Sequence, residues 1–179
     1  MTIPIPTLIP TPIPTPSSKQ TESVFTLEAF FPYQVRMFYL QVSQAVSAIY
    51  ASRYGLSVSE WRTMAVLGSH QPLSASEVVR HSSIDKVQVS RAIKGLLTRD
   101  LLQRWVDPAD RRRVTLHLTD QGQRVFADLV PQVRALEQQL LGCLSEDEQQ
   151  TLKALMNKVR VQAARINASG GQDDAKALS

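Results

Sequence analysis

The sequence predicts a mainly α-helical protein that carries one small β-hairpin. Apolar residues recur every three or four positions along most of the chain, which is the spacing of one face of an α-helix. Residues 102–106 and 114–118 instead alternate in β-compatible residues, with the turn signal Asp107-Pro108 between them. We therefore expect helices on both sides of a two-stranded hairpin.

The helix just before this hairpin has two chemically different faces. Its apolar positions recur at helical spacing and predict the buried face: Val89, Ala92, Ile93, Leu96 and Leu97. The outer face carries Val87, Arg91, Lys94 and Thr98, flanked by Gln88 and Ser90. Arg can contact guanine bidentately, Gln can contact adenine in the same way, and a Val methyl can meet the thymine methyl. A solvated amphipathic helix also carries cations outside, so this helix alone does not establish DNA binding.

The hairpin tip carries three consecutive arginines, Arg111, Arg112 and Arg113. Adjacent like charges repel each other, and an anionic partner explains them better than solubility does. A helix for the major groove beside an arginine-tipped hairpin for the minor groove makes a coherent DNA-reading unit. Residues 80–113 hold nine Lys and Arg but four acids, so the basic excess of a chain of net charge +4 lies in this unit.

Two segments of this unit resemble the multiple-antibiotic-resistance regulator (MarR) family. Residues 107–122, Asp-Pro-Ala-Asp-Arg-Arg-Arg-Val-Thr-Leu-His-Leu-Thr-Asp-Gln-Gly, are similar to the family's wing signature. Asp85-Lys-Val-Gln-Val-Ser-Arg91 resembles the start of its recognition helix, and the similarity extends over about Leu27 to Ile166. One departure is Asp100, where the family often has Gly; Asp tolerates the left-handed backbone conformation better than most residues.

The resemblance implies a winged helix-turn-helix with a helical dimerisation region, and a homodimer that binds double-stranded DNA. We expect the DNA contacts to come from Lys86, Val87, Gln88, Ser90, Arg91, Lys94, Arg111, Arg112 and Arg113. Arg112 matches the family's wing position and is expected to enter the minor groove. Asp110 is expected to hold the wing in shape by pairing with a neighbouring Arg.

The chain is expected to divide into five segments. They are a disordered Pro-rich tail (1–24), an N-terminal dimerisation helix (25–56), the winged helix-turn-helix (57–118), C-terminal dimerisation helices (119–167) and a disordered tail (168–179). Six of the ten prolines fall within the first 23 residues, which excludes helix and central strand there. Ser-x-x-Glu capping boxes predict helix starts at Ser57, Ser74 and Ser145.

Apolar seams on the outer helices predict a two-fold dimer. The N-terminal seam consists of Val35, Phe38, Val42, Ala45 and Ile49, and the C-terminal seam of Leu152, Leu155, Val159, Ala163 and Ile166. One copy folded alone would leave these stripes without enough partners. Thr119 is expected to begin the intervening helix, and Pro131 to kink it without ending it, because the apolar pattern continues on both sides.

Aromatic residues crowd the start of the N-terminal helix around one cation, Arg36. We expect Tyr33, Arg36, Tyr39 and Trp61 to line a ligand pocket in which Arg36 pairs with a carboxylate or phosphate. This favours a small anionic aromatic effector, such as a phenolic acid or an aromatic coenzyme A thioester. The alternative is that Tyr33, Arg36 and Tyr39 line the dimer seam. The resulting hypothesis is a ligand-responsive transcription regulator, a repressor released from a pseudo-palindromic operator.

Other functional classes find less support in the sequence. We expect no enzyme, cofactor or metal site, because the histidines lack ligand spacing and no catalytic motif is present. A winged-helix module that binds an acidic protein remains an alternative, as does redox sensing through Cys143. The apolar neighbours of this single cysteine favour a buried, inert thiol. Absence of a secretory signal and of a membrane-spanning apolar run predicts the cytoplasm.

Overall fold

The structure, a computed structural model, describes residues 25–110 and 112–176. These residues fall into two compact units, which divide between Met37 and Phe38. In the first unit, a 3-10 turn at Leu27–Ala29 leads into the first helix, and the Gln34 side-chain amide donates to the Glu28 carbonyl at 3.1 Å. The predicted Pro-rich tail, 1–24, lies outside the described residues.

The described residues form six α-helices and one two-stranded antiparallel sheet. In chain order these are α1 (Phe31–Tyr54), α2 (Val58–His70), α3 (Ala75–Ser82), α4 (Lys86–Thr98), β1 (Leu102–Val106), β2 (Val114–Leu118), α5 (Asp120–Leu141) and α6 (Glu146–Lys176). The predicted mainly helical fold with a single hairpin is confirmed, and both strands have the predicted bounds.

Local sequence signals set most helix boundaries. Ser57 and Ser74 form reciprocal capping boxes with the Glu three residues on, and Ser145 makes the same contacts with Glu148. Gly55 follows α1 with a φ of 58°, a left-handed conformation that Gly adopts without a steric cost. The predicted starts of the helices after Ser57, Ser74 and Ser145 are therefore confirmed.

The second unit has one apolar core that joins the helix-turn-helix to the hairpin. Helices α2, α3 and α4 contribute Met64, Leu67, Val78, Val89, Ile93 and Leu96, and the hairpin and α5 contribute Leu102, Leu116, Leu118, Val125 and Leu129. All of these side chains are nearly inaccessible to solvent. The predicted buried face of α4 is confirmed, with Leu97 partly buried at its edge.

Backbone hydrogen bonds fix the hairpin beside the helix-turn-helix. Leu73, in the connection before α3, pairs with Leu116 of β2 through reciprocal bonds of 2.8 and 3.4 Å. The Gln71 side-chain carbonyl also accepts from the Leu118 N–H at 2.9 Å. The hairpin is thus anchored to the segment that connects α2 and α3.

The connection between α4 and β1 also supports the start of α5. Asp100 has a φ of 54°, the left-handed conformation expected at this position. Its carbonyl accepts from the Thr119 hydroxyl at 2.6 Å, while the same hydroxyl caps α5 by accepting from the Gly122 N–H at 3.0 Å. Thr119 therefore begins α5, as predicted, and links it to the end of α4.

Helix α6 is longer than the sequence predicts, whereas α5 continues through its internal proline as expected. Helix α5 continues through Pro131, as predicted, and ends at Leu141. Helix α6 was expected to end near Asn167, with a disordered tail from 168, but it continues to Lys176. Gly170 and Gly171 lower helix propensity by only about 1 kcal/mol each relative to Ala, and the flanking residues are compatible with helix.

Helices α1 and α5 are joined by a polar cluster around Asp128. Its carboxylate accepts from the Tyr54 hydroxyl at 2.9 Å and pairs with the Arg53 guanidinium at 2.8 Å. The Gln132 side-chain amide donates to the same carboxylate at 3.0 Å. The hydrogen bond from Tyr54, followed by the charge of Arg53, lowers the pKa of Asp128 from its ordinary value of 3.8.

This lowered pKa predicts a pH-dependent contribution to stability. A depressed carboxyl pKa stabilises the fold fully above the unfolded value and loses the contribution as pH falls through the folded one. We expect the urea midpoint of wild type to exceed that of Asp128→Asn at pH 7, and the gap to shrink below pH 3.8. Glu137→Gln, an exposed carboxyl on the same helix, is the control. A gap that is constant or widens on acidification would contradict the assignment.

Candidate nucleic-acid interface

The outer face of α4 brings the predicted DNA-contacting residues together. Its buried residues hold the helix against α2 and α3, so the opposite face is turned to solvent. The predicted contacts on this helix are all exposed: Lys86, Val87, Gln88, Ser90, Arg91 and Lys94. Val87 is 58% exposed although it is apolar, which leaves its methyl groups available to another molecule.

Asp85 caps this helix and also orients one of its exposed side chains. One carboxylate oxygen accepts from the Gln88 backbone N–H at 2.8 Å, and the other accepts from the Gln88 side-chain amide at 2.7 Å. The hydrogen bond from the Gln88 backbone is the main reason why the pKa of Asp85 is lowered. Gln88 is therefore held in a defined position at the start of α4.

The hairpin tip is shaped by two aspartates rather than by its arginines. The Asp107 carboxylate accepts from the Ala109 N–H at 2.8 Å, and the Asp110 carboxylate accepts from the Arg112 N–H at 3.0 Å. The sequence analysis expected the Asp110 carboxylate to pair with a neighbouring Arg. The contact observed is with the backbone N–H of Arg112. Arg112 and Arg113 have exposed side chains, and Arg111 lies outside the described residues.

Arg104 joins this surface although the sequence analysis did not include it among the contacts. It lies opposite Leu116 in the hairpin register, on the face that points towards α4. Its side chain borders a depression of about 540 Å³ together with Lys86 and Ser90 of α4. The alternation of β1 could have identified Arg104, because it places position 104 on the same face as buried Leu102.

Arg99, by contrast, is a cation of the basic segment that has a structural partner. Its guanidinium donates to the backbone carbonyls of Tyr54 and Gly55 at the end of α1. These bonds satisfy carbonyls at the C-terminus of α1 and tie that end to the end of α4. The basic excess counted along the sequence therefore overstates the number of cations directed at a partner.

The predicted ligand residues fall in both compact units. In the first unit, Tyr33 is half-buried and Arg36 is exposed. In the second, Tyr39 is exposed and its hydroxyl accepts from Arg62 at 3.1 Å. Trp61 stacks on Tyr50, with ring centroids 5.6 Å apart, and also packs beside Phe126. The Trp61 ring thus belongs to the edge of the core, which the sequence pattern did not indicate.

Cys143 differs from its predicted environment. It was expected to be buried, but its side chain is exposed in the turn between α5 and α6. The apolar neighbours in sequence do not cover it, because a tight turn directs successive side chains apart.

The described residues contain no group of three or more metal-ligating side chains. None of the helices in the described part of the chain combines the length and apolar character needed to cross a membrane.

Comparison with known proteins agrees with this arrangement. A family model described as the MarR family matches residues 54–113, which contain the helix-turn-helix and the first strand and tip of the hairpin. The chain is 27% identical over 104 residues to the HTH-type transcriptional repressor NicR of Pseudomonas putida. That alignment covers 58% of this chain and 66% of NicR, so the chain spans slightly less than two thirds of this relative's length.

Solved structures share the fold over more of the chain. A MarR/EmrR family transcriptional regulator from Acinetobacter is 25% identical, with a TM-score of 0.72, over 79% of this chain and 99% of that one. Bordetella bronchiseptica BpsR, whose DNA binding is regulated by 6-hydroxynicotinic acid, is 24% identical, with a TM-score of 0.69. This comparison covers 76% of this chain and 96% of BpsR and shows the fold alone. In its helix-turn-helix, its hairpin and these similarities, the chain resembles the MarR family of winged helix-turn-helix regulators.

Proposed function

We propose that this protein is a DNA-binding transcription regulator. In this proposal, α4 enters the major groove and the hairpin tip enters the adjacent minor groove. The observation that carries it is the row of exposed polar and basic side chains on α4 beside the exposed Arg112 and Arg113. Arg104, between the two elements, adds a cation that faces the same partner. Phosphate contacts would position the protein, and Gln88 and Arg91 would read base edges.

Selection from a random duplex library tests this function against the protein-interaction alternative. We expect enrichment of a defined sequence. We also expect the logarithm of the affinity to fall linearly with the logarithm of the salt concentration, with a slope of roughly −0.9 per phosphate contacted. Polyglutamate serves as an acidic polypeptide competitor. Binding of polyglutamate in preference to every duplex, with no sequence enriched, would favour the interaction module and contradict the proposal.

We also propose that the functional form is a homodimer. Several apolar side chains of α6 are exposed in the single chain, among them Leu155, Val159 and Ile166, the last at 60% exposure. Phe38 and Leu40 of α1 are exposed in the same way. Burying such side chains contributes about 1.5–3 kcal/mol each, so their exposure in one chain favours an association site on these helices. A two-fold dimer would present two α4 helices to successive major grooves.

A charge placed in the α6 seam should dissociate this dimer. Val159 lies in the middle of the seam and is 46% exposed in one chain. In a dimer, Val159→Glu would bury a carboxylate without a partner, so we expect micromolar protein to change from dimer to monomer in sedimentation. Ala164→Glu places the same charge on the opposite side of α6 and should leave the dimer intact. A wild-type monomer at micromolar concentration would refute the dimer, and a dimeric Val159→Glu would place the interface elsewhere.

We further propose that the regulator is a repressor released by a small aromatic anion. NicR is a repressor, and BpsR, which shares the fold, responds to an aromatic acid. Arg36 supplies an exposed guanidinium among the aromatic residues at the start of α1, and its planar fork suits a carboxylate. Calorimetry with hydroxynicotinate, benzoates, cinnamates and their thioesters, repeated on Arg36→Ala, tests this. A binder that releases DNA from wild type but not from the variant supports the proposal, and an inert panel contradicts it.

A further inference from the structure

Both oxygens of the Asp85 carboxylate are engaged by a single residue of the recognition helix. One accepts from the Gln88 backbone N–H at 2.8 Å, which is the ordinary N-cap bond. The other accepts from the Gln88 side-chain nitrogen at 2.7 Å, a contact that capping does not require. Gln88 is exposed on the face that would meet a duplex, so the second bond determines which of its polar atoms point outward.

This contact fixes the orientation of the Gln88 amide. An ionised carboxylate only accepts hydrogen bonds, so the nitrogen of the amide, not its oxygen, must face Asp85. A carboxyl with the ordinary pKa of 3.8 is already ionised at neutral pH, and the Gln88 backbone bond lowers the pKa of Asp85 further. One of the two amide hydrogens is thereby used. The carbonyl oxygen and the second N–H remain available as one acceptor beside one donor.

The remaining pair of atoms distinguishes the two purines. In the major groove, adenine presents an acceptor at N7 and a donor at N6, whereas guanine presents acceptors at N7 and O6. One acceptor beside one donor matches adenine with two hydrogen bonds. Guanine would need both amide hydrogens, and Gln88 can supply both only by leaving Asp85. The bond of 2.7 Å therefore favours adenine over guanine at the base that Gln88 contacts.

We propose that Asp85 is a positioning residue that makes Gln88 select adenine over guanine. This inference rests on the proposed DNA-binding function, because a base must lie opposite α4 for the orientation to matter. Asp85 touches no base itself and acts through the amide that it holds. The same contact orders the Gln88 side chain before binding, so less conformational entropy is lost when the base is engaged.

Two substitutions at position 85 separate orientation from helix capping. Asn and Ser both cap helices about as well as Asp, so α4 should remain folded in either variant. Asp85→Asn replaces the accepting oxygen with a donating amide, so Gln88 should rotate, present both N–H groups outward and favour guanine. Asp85→Ser keeps one capping oxygen but leaves no second acceptor, so Gln88 should lose its fixed orientation and discriminate weakly.

The test measures the ratio of affinities for adenine and guanine at each position of the selected operator. The position contacted by Gln88 is the one whose ratio changes in Gln88→Ala. There we expect wild type to favour adenine by roughly 10-fold, Asp85→Asn to lose or invert this preference, and Asp85→Ser to fall within about 3-fold of equal affinity. In the Gln88→Ala background, the change at position 85 should have no further effect on the ratio.

Three results would overturn the inference. They are a wild-type ratio retained by Asp85→Asn, a change that persists without Gln88, and a Gln88→Ala variant that alters no position. In each of these cases specific binding survives, so the proposed DNA-binding function stands while the role of Asp85 fails. Absence of duplex binding by wild type would overturn both.

Discussion

Arg91→Ala and Arg112→Ala should each weaken specific DNA binding by about 1–3 kcal/mol, on the order of 5- to 150-fold in affinity. Arg91 is exposed on α4, where Ala is an excellent helix former, so the helix should persist. Arg112 forms its contact with Asp110 through the backbone N–H, which Ala retains, so the hairpin tip should keep its shape. The loss in affinity would therefore report the guanidinium groups rather than misfolding.

The matched control removes a cation from elsewhere in the chain. Lys158→Ala lies on α6 and lowers the net charge by the same amount, so it corrects for the general electrostatic attraction to DNA. Titration of fluorescent operator at fixed salt measures all three variants. Wild-type affinity in both arginine variants, with the dimer intact, would show that the candidate surface is placed incorrectly.

Gly122→Ala should be the most destabilising single-methyl change that this structure allows us to predict. A Cβ atom at position 122 would lie 2.0 Å from the Leu101 carbonyl oxygen, far inside the contact distance of real atoms. The obstacle is backbone, which cannot rotate away as a side chain can, so α5 must move from the α4–β1 connection. Overpacking of this kind costs about 3 kcal/mol.

Urea unfolding at one fixed protein concentration measures this effect. We expect a clearly lower midpoint for Gly122→Ala, and a midpoint close to wild type for the neighbouring Gln121→Ala, whose side chain is exposed. An equal midpoint for the two variants would mean that α5 does not approach Leu101 as closely as described. Because Thr119 bonds to both Asp100 and Leu101, the displacement should also loosen the base of the wing.

The sequence predicted best those features that neighbouring residues determine. The capping serines, Gly55 and Asp100 act through their own backbone and the next turn, so their effects can be deduced from spacing. The faces of α4 and the bounds of the hairpin follow from periods of 3.6 and 2 residues. Most of the residues proposed to contact DNA lie in α4 and the hairpin tip, so these local patterns were enough to identify them.

Features that depend on distant residues were predicted less well. Arg99 was counted among the cations of residues 80–113, but the end of α1, more than forty residues earlier, supplies its hydrogen-bond partners. Trp61 was expected to line a ligand pocket, and its contacts with Tyr50 and Phe126 from other helices could not be deduced from its own segment. Cys143 was expected to be buried from its apolar neighbours, but burial is decided by which elements pack over a turn. Periodicity within one segment contains no information about such contacts.

Hydroxyl-radical footprinting of the selected operator tests the central claim most directly. If two copies of α4 and its wing read one duplex, protection should appear as two related half-sites. Their centres should be separated by about one helical turn, roughly 10–10.5 base pairs, and the sequence should be pseudo-palindromic. Protection of a single half-site, or uniform protection without a boundary, would contradict the account of a dimer that reads DNA through α4 and the hairpin tip.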